Sequence, residues 1–169
     1  MTIIEEEWLN LVDENDQVVG EITRSDVHKN GQFHGVRAVW FFIKNSQGQL
    51  WIPRRHQDKR RMPLHLDSSA AGCVGRGETY EEALYREVEE ELNLDIRDKE
   101  HRFIGHLSPY KHNTWCWLQV FEMSSDEVPP YSPLEFDEHY WLTPQELADR
   151  ISQGALAKSD LSIIIKELY

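Results

Sequence analysis

At 169 residues, with 40% hydrophobic and 28% charged residues, the chain is long enough for one sizeable core and too short to suggest two domains. Its formal net charge of −12 argues against a nucleic-acid polymer partner, which needs Lys and Arg on its phosphates, but leaves room for a small anion held by a local basic cluster. No apolar run reaches membrane-spanning length, Met1–Trp8 has three consecutive glutamates and no basic start, and Cys73 and Cys116 form no paired motif, so a cytoplasmic protein with no membrane partner is expected.

Trp8 to Val12 and Gln17 to Thr23 read as two strands around the polar turn Asp13-Glu14-Asn15-Asp16. Ser25 is placed to cap a short helical turn that ends by Gly31. Arg37 to Lys44 contains the unbroken apolar run Ala38-Val39-Trp40-Phe41-Phe42-Ile43, which suits a strand buried on both faces. Asn45-Ser46-Gln47-Gly48 is a turn, and Gln49 to Pro53 is the returning strand.

A basic segment follows, with Arg54, Arg55, Lys59, Arg60 and Arg61 inside eight positions of an acidic chain. It reads either as a solvated loop or as a rim that grips phosphate, since arginine forks match paired oxygens. The substrate-binding candidates are Arg54, Arg55 and Lys59, with Arg37 counted beside them.

Gly72 to Leu94 then reads as a loop entering a helix. Thr79 with Glu82 three residues on is a capping box, so the helix should begin near Tyr80. Leu84, Val88 and Leu92 give it an apolar stripe, and Asn93 can stop it in the left-handed conformation. Glu87, Glu90 and Glu91, at i, i+3 and i+4, put three carboxylates on one face, where each like-charged pair costs roughly 0.2–0.5 kcal/mol. That face is either a solvated acidic surface or a site for a hard divalent cation such as Mg2+ or Mn2+.

Beyond it, Phe103 to Tyr110 and Thr114 to Glu122 read as strands. In the second, Trp115 and Trp117 share a face, either as core or as a stacking surface for a nucleobase, and Cys116 reads as a small core residue. Ser124 to Pro133 is a loop, and Leu134 to Leu142 a strand. Thr143-Pro144-Gln145-Glu146 starts a helix with a capping box and Pro at the first position. Ser159 or Asp160 caps the last helix, whose Leu161, Ile164, Ile165 and Leu168 form a core stripe.

The spacing from Gly72 to Leu94 resembles the Nudix box, G-x5-E-x7-R-E-U-x-E-E-x-G-U with U bulky and apolar. Gly72, Glu78, Arg86, Glu87, Val88, Glu90, Glu91 and Leu94 match, and Asn93 stands in place of the last glycine. The resemblance implies one Nudix hydrolase domain over 1–169, an α/β fold, and specifically an α/β/α sandwich with a mixed central sheet. It implies hydrolysis of a diphosphate bond in a nucleoside diphosphate derivative, with nucleoside di- or triphosphates favoured and Mg2+ or Mn2+ as cofactor. Carried over by position, the metal set is Glu87, Glu90 and Glu91, with Gly72 as a backbone position. The catalytic set is Glu87, Glu90, Glu78, Arg86 and Glu135. Arg86 is expected to orient a glutamate, and the general base is either a box glutamate or an acid from a later loop, for which Glu135 is the candidate with Asp137 and Glu138 competing. Monomer and homodimer both stay open.

Leu11-Val12-Asp13-Glu14-Asn15 followed by Gly20 is similar to the opening of the branch that contains isopentenyl-diphosphate isomerases. Those isomerases carry a cysteine just before the first box glycine, where this chain has Ala71, and a His-Glu pair not evident around Phe103 to Glu122. Isomerase, and a nucleotide-binding module without turnover, are the alternative readings.

Overall fold

The protein is described by a computed structural model covering residues 5–169; the first half of the Met1–Trp8 stretch, residues 1–4, lies outside the described residues. Strand β3 (Arg37–Lys44) is the spine of the sheet. Its alternating side chains divide the core: Val39, Phe41 and Ile43 join one buried cluster, and Ala38, Trp40 and Phe42 join another. The first cluster is closed by α2 (Tyr80–Leu92) through Leu84, Val88 and Leu92. The second is closed by α4 (Pro144–Ser152) and α5 (Ser159–Leu168) through Leu147, Leu161, Ile164 and Ile165. This is the expected α/β/α arrangement.

The sheet is mixed. β7 (Trp117–Ser124) runs parallel to β3 along its whole length, and β6 (Arg102–Leu107) pairs antiparallel with β7. The other side of β3 is shared between two antiparallel strands. β5 (Ala70–Cys73) pairs with Ala38–Phe41, and β4 (Leu50–Arg55) joins at Lys44↔Leu50. β8 (Phe136–Leu142) pairs antiparallel with β4. β5 has no counterpart among the expected strands; its four small residues carry no alternation to read.

A separate hairpin, β1 (Trp8–Val12) and β2 (Val18–Thr23), packs on this body. Its turn residue Asp16 fastens it. Asp16 accepts from Tyr80 Oη at 2.8 Å and from Arg37 Nε at 2.6 Å, and His106 Nε2 stands 2.9 Å away. Arg37 also lies over the Tyr80 ring. Arg37 is therefore a structural cation joining hairpin, sheet and helix, and it does not line the cavity described below.

Several local assignments shift. Helix α1 (Arg24–Asn30) is capped by Thr23 Oγ1, not by Ser25, whose hydroxyl binds Glu6; it ends at Gly31 in the left-handed region. A short helix α3 (Pro109–His112) interrupts the stretch read as strand, so β6 stops at Leu107. Trp115 falls outside β7 and is half-exposed, whereas Trp117 is buried, so the two do not share a strand face. Lys158 takes the N-cap position of α5, with no side chain capping it; Asp160 instead accepts from the Trp115 backbone N–H at 3.1 Å.

Candidate active site

Helix α2 starts and stops as its sequence dictates. Thr79 and Glu82 exchange both hydrogen bonds of the capping box, and Asn93 ends the helix at φ 50°. With both ends fixed, the Leu84–Val88–Leu92 stripe turns inward, and Glu87, Glu90 and Glu91 face a cavity of about 860 Å³.

Arg86 organises this acidic wall. Its Nε donates to Glu78 Oε1 at 3.0 Å, Nη1 donates to Glu87 at 2.5 Å and stands 3.6 Å from Glu90, and Nη2 donates to the Cys73 carbonyl at 3.0 Å. One guanidinium thus ties three glutamates of the box to strand β5. Gly72 faces Glu87 so closely that any Cβ there would collide with the Glu87 carboxyl group, and Gly75 stands in the same relation to Glu78. Gly72 is not held by a left-handed backbone; its requirement is close approach. The role of Gly75 lies outside the box spacing and was not legible in it.

Burial drives Glu87 up to about 7 against the pull of Arg86, with Glu90 adding to the rise. Glu91 is likewise driven well above the usual carboxylate range by burial, with Glu87 and Asp67 adding and Lys158 opposing. Its Oε2 accepts from the Ala71 backbone N–H at 3.4 Å. Among the described residues no three ligating side chains converge on one point as they stand, and Arg86 lies between the carboxylates. The donor chemistry nonetheless fits a hard divalent cation. The donors are all carboxylate oxygens, and two of the three pay a desolvation cost that a bound cation would offset.

Cations and aromatic rings line other parts of the cavity wall, beside further acids at Glu5, Glu6, Glu7 and Asp160. Arg55 and Lys59 line it, as does Glu135, which accepts from Lys59 Nζ at 2.6 Å. Arg54 does not. It pairs with Asp137 at 3.0 Å and with Glu138 at 3.0 Å along the β4–β8 edge, away from the cavity. The three acids considered for a general base are thereby separated: Glu135 reaches the cavity, and Asp137 and Glu138 are held by Arg54. Trp40, Phe33 and Trp115 bring aromatic surface, with Phe33 and Trp115 ring centroids 4.7 Å apart. Sequence reasoning missed Phe33 and Lys158, both lining residues; neither sits in a pattern that marks it.

The Nudix domain family model matches residues 34–162. The chain belongs to the Nudix hydrolases. It is 44% identical over 163 residues to an uncharacterised Nudix hydrolase of Nostoc sp., with 96% of each chain covered. It is 42% identical over 166 residues to a Nudix hydrolase of Deinococcus radiodurans, covering 98% of this chain and 96% of that one. The crystal structure of DR0079 from Deinococcus radiodurans superposes with a TM-score of 0.89 at 42% identity, covering 96% and 99% of the two chains. This Nudix hydrolase is accordingly an enzyme acting on phosphoric anhydrides, in a family that generally uses a divalent metal. No helix among the described residues is long and apolar enough to cross a membrane.

Proposed function

We propose that this Nudix hydrolase, working as a single domain over 1–169 on a small-molecule substrate in the cytoplasm, cleaves a diphosphate bond in a nucleoside diphosphate derivative. Nucleoside di- and triphosphates are the preferred class, and Mg2+ or Mn2+ the cofactor. The observation that carries this reading is the make-up of one cavity: the box carboxylates line it together with Arg55, Lys59 and the rings of Phe33 and Trp115.

Glu87, Glu90 and Glu91 would hold the metal. When bound, the metal neutralises phosphate charge, polarises a phosphoryl oxygen and lowers the pKa of water. Arg86 keeps the glutamates aimed, as its hydrogen bonds to Glu78 and Glu87 suggest. Arg55 and Lys59 bind phosphate oxygens, and Phe33 and Trp115 offer a base a face to stack on. Glu135 is the general base we favour, because it alone of the three candidate acids after β7 lines the cavity. Lys59 Nζ, 2.6 Å from its Oε2, holds the carboxylate at the cavity wall.

Phosphate release from a panel of nucleoside diphosphates, triphosphates and nucleotide sugars, with Mg2+ or Mn2+, tests the reading. Turnover in the wild type and its loss in Glu90→Gln is the expected result. Isopentenyl diphosphate run in parallel separates the isomerase: isomer without hydrolysis would overturn the proposal.

A further inference from the structure

The turn between strand β5 and helix α2 carries Glu78, yet the main sheet holds only its first residue. Val74 N–H donates to the Arg37 carbonyl at 2.9 Å, and from Gly75 onward the partners come from the hairpin. Leu9 and Gly75 form an antiparallel bridge, and Arg76 N–H donates to the Trp8 carbonyl at 2.8 Å. The Arg76 guanidinium lies over the Trp8 ring and stands 3.4 Å from Glu21 on β2.

Asn10 completes this contact with its side chain. Its Nδ2 donates to the Glu78 carbonyl at 3.0 Å, and its Oδ1 accepts from the Gly77 N–H at 2.9 Å. Only one orientation of the amide satisfies both, and at 4% exposure water has little access to take over either bond. The two bonds bracket the Gly77–Glu78 backbone. The carboxylate on that backbone receives Arg86 Nε at 3.0 and 3.2 Å, and it fills the space a side chain would need at Gly75. A shift of the Glu78 backbone is therefore passed to Arg86, and from there to Glu87.

The hairpin can serve as the fixed partner because it is fastened elsewhere. Asp16 ties its turn to Arg37 and Tyr80, and Leu9 and Ile22 pack with Val27 and Val36 in a third buried cluster. Both of its strands lie outside residues 34–162, the stretch that carries the family match. We propose that Asn10 is a positioning residue for the box: from the hairpin it sets the backbone of Glu78, and through Glu78 the aim of Arg86 at Glu87 and Glu90. One polar side chain far outside the box spacing is thus part of what the box needs to work. This rests on the reading of the box as the hydrolytic apparatus and adds a residue to it.

Asn10→Ala tests it, with Asn10→Asp, which keeps the acceptor for Gly77 and loses the donor to Glu78. Leu147→Ala is the control: Leu147 is buried under α4 in the cluster away from α2, so its truncation lowers stability without touching the box. The direct readout is the Arg86 Nε–H signal in heteronuclear NMR, identified by its absence in Arg86→Met. Its exchange with water is expected to quicken about tenfold in Asn10→Ala, to move the same way in Asn10→Asp, and to hold in Leu147→Ala. In phosphate release with Mg2+, kcat should fall about tenfold in Asn10→Ala with the nucleotide KM little changed, because Arg55, Lys59 and the stacking rings lie off this turn. An Arg86 signal that holds in both Asn10 variants would overturn the positioning role. So would an unchanged kcat, or an equal loss of kcat in Leu147→Ala. If the wild type hydrolyses nothing in the panel, the hydrolase reading fails by itself, and the Arg86 signal alone decides the role of Asn10. Asn10→Asp removes no packing volume, so the test stands even if Asn10→Ala fails to fold.

Discussion

Gly72 and Glu87 compete for one volume: the room a side chain would need at Gly72 is filled by the Glu87 carboxyl group. The first glycine of the box is thus defined by the fourth fixed position of the same box, across the gap between strand β5 and helix α2. Gly72→Ala should push Glu87 from its place against Arg86. A displacement of this kind is expected to cut kcat/KM by about 100-fold, measured by phosphate release, while circular dichroism still reports a folded protein.

The raised Glu87 value gives a pH signature for the metal-free protein. In the unfolded chain this carboxyl titrates near 4.5, and in the folded protein at about 7. Between those values the folded state binds more protons than the unfolded state, so stability falls as pH rises. The contribution is fully present below pH 4.5 and gone above about 7. Urea unfolding in chelator should show wild type losing stability across that window relative to Glu87→Gln, whose side chain cannot ionise. Added Mg2+ should stabilise wild type more at pH 8 than at pH 5, because the cation binds the ionised form.

Among the described residues Arg86 is the one cation spanning Glu78, Glu87 and Glu90, and it also satisfies the Cys73 carbonyl. Arg86→Met leaves those acceptors facing one another. A loss of roughly 2–4 kcal/mol is expected in chemical denaturation, reduced when Mg2+ is present, since the ion supplies positive charge at the same carboxylates.

Asn93 occupies the position where the box carries glycine, and its φ of 50° explains both residues. Asn tolerates this region and adds a 2.7 Å hydrogen bond from Nδ2 to the Pro130 carbonyl. Asn93→Ala should cost about 1–2 kcal/mol of stability by thermal or urea unfolding. Asn93→Gly should sit within about 0.5 kcal/mol of wild type, its relaxed backbone offsetting the lost hydrogen bond. Neither change should move kcat by more than a small factor.

Features written locally were the ones legible in the sequence. The capping boxes at Thr79 and Thr143, the Leu84–Val88–Leu92 stripe and the run through Ala38–Ile43 all depend on neighbours within a few positions, and the structure carries them as read. Cations were harder. Arg37, Arg54 and Arg55 look alike in sequence, yet Asp16, Asp137 and Asp67 decide respectively which is a brace, which an edge pair and which a cavity residue. Those acids lie 21, 83 and 12 positions away, separations that no spacing rule spans. Strand β5 escaped because Ala70, Ala71, Gly72 and Cys73 are too small to show a pattern; its place comes from β3 beside it.

The cavity draws its box acids from one thirteen-residue helix and the turn before it, while part of its remaining surface comes from Glu5–Leu9 at one end of the described chain and Lys158–Asp160 near the other. On the proposed reading, the metal-holding glutamates and part of the surface that meets the substrate therefore sit on different stretches of the chain. Exchanges near either terminus can retune preference while the helix stays untouched, so two such proteins sharing every box residue need not share a diet.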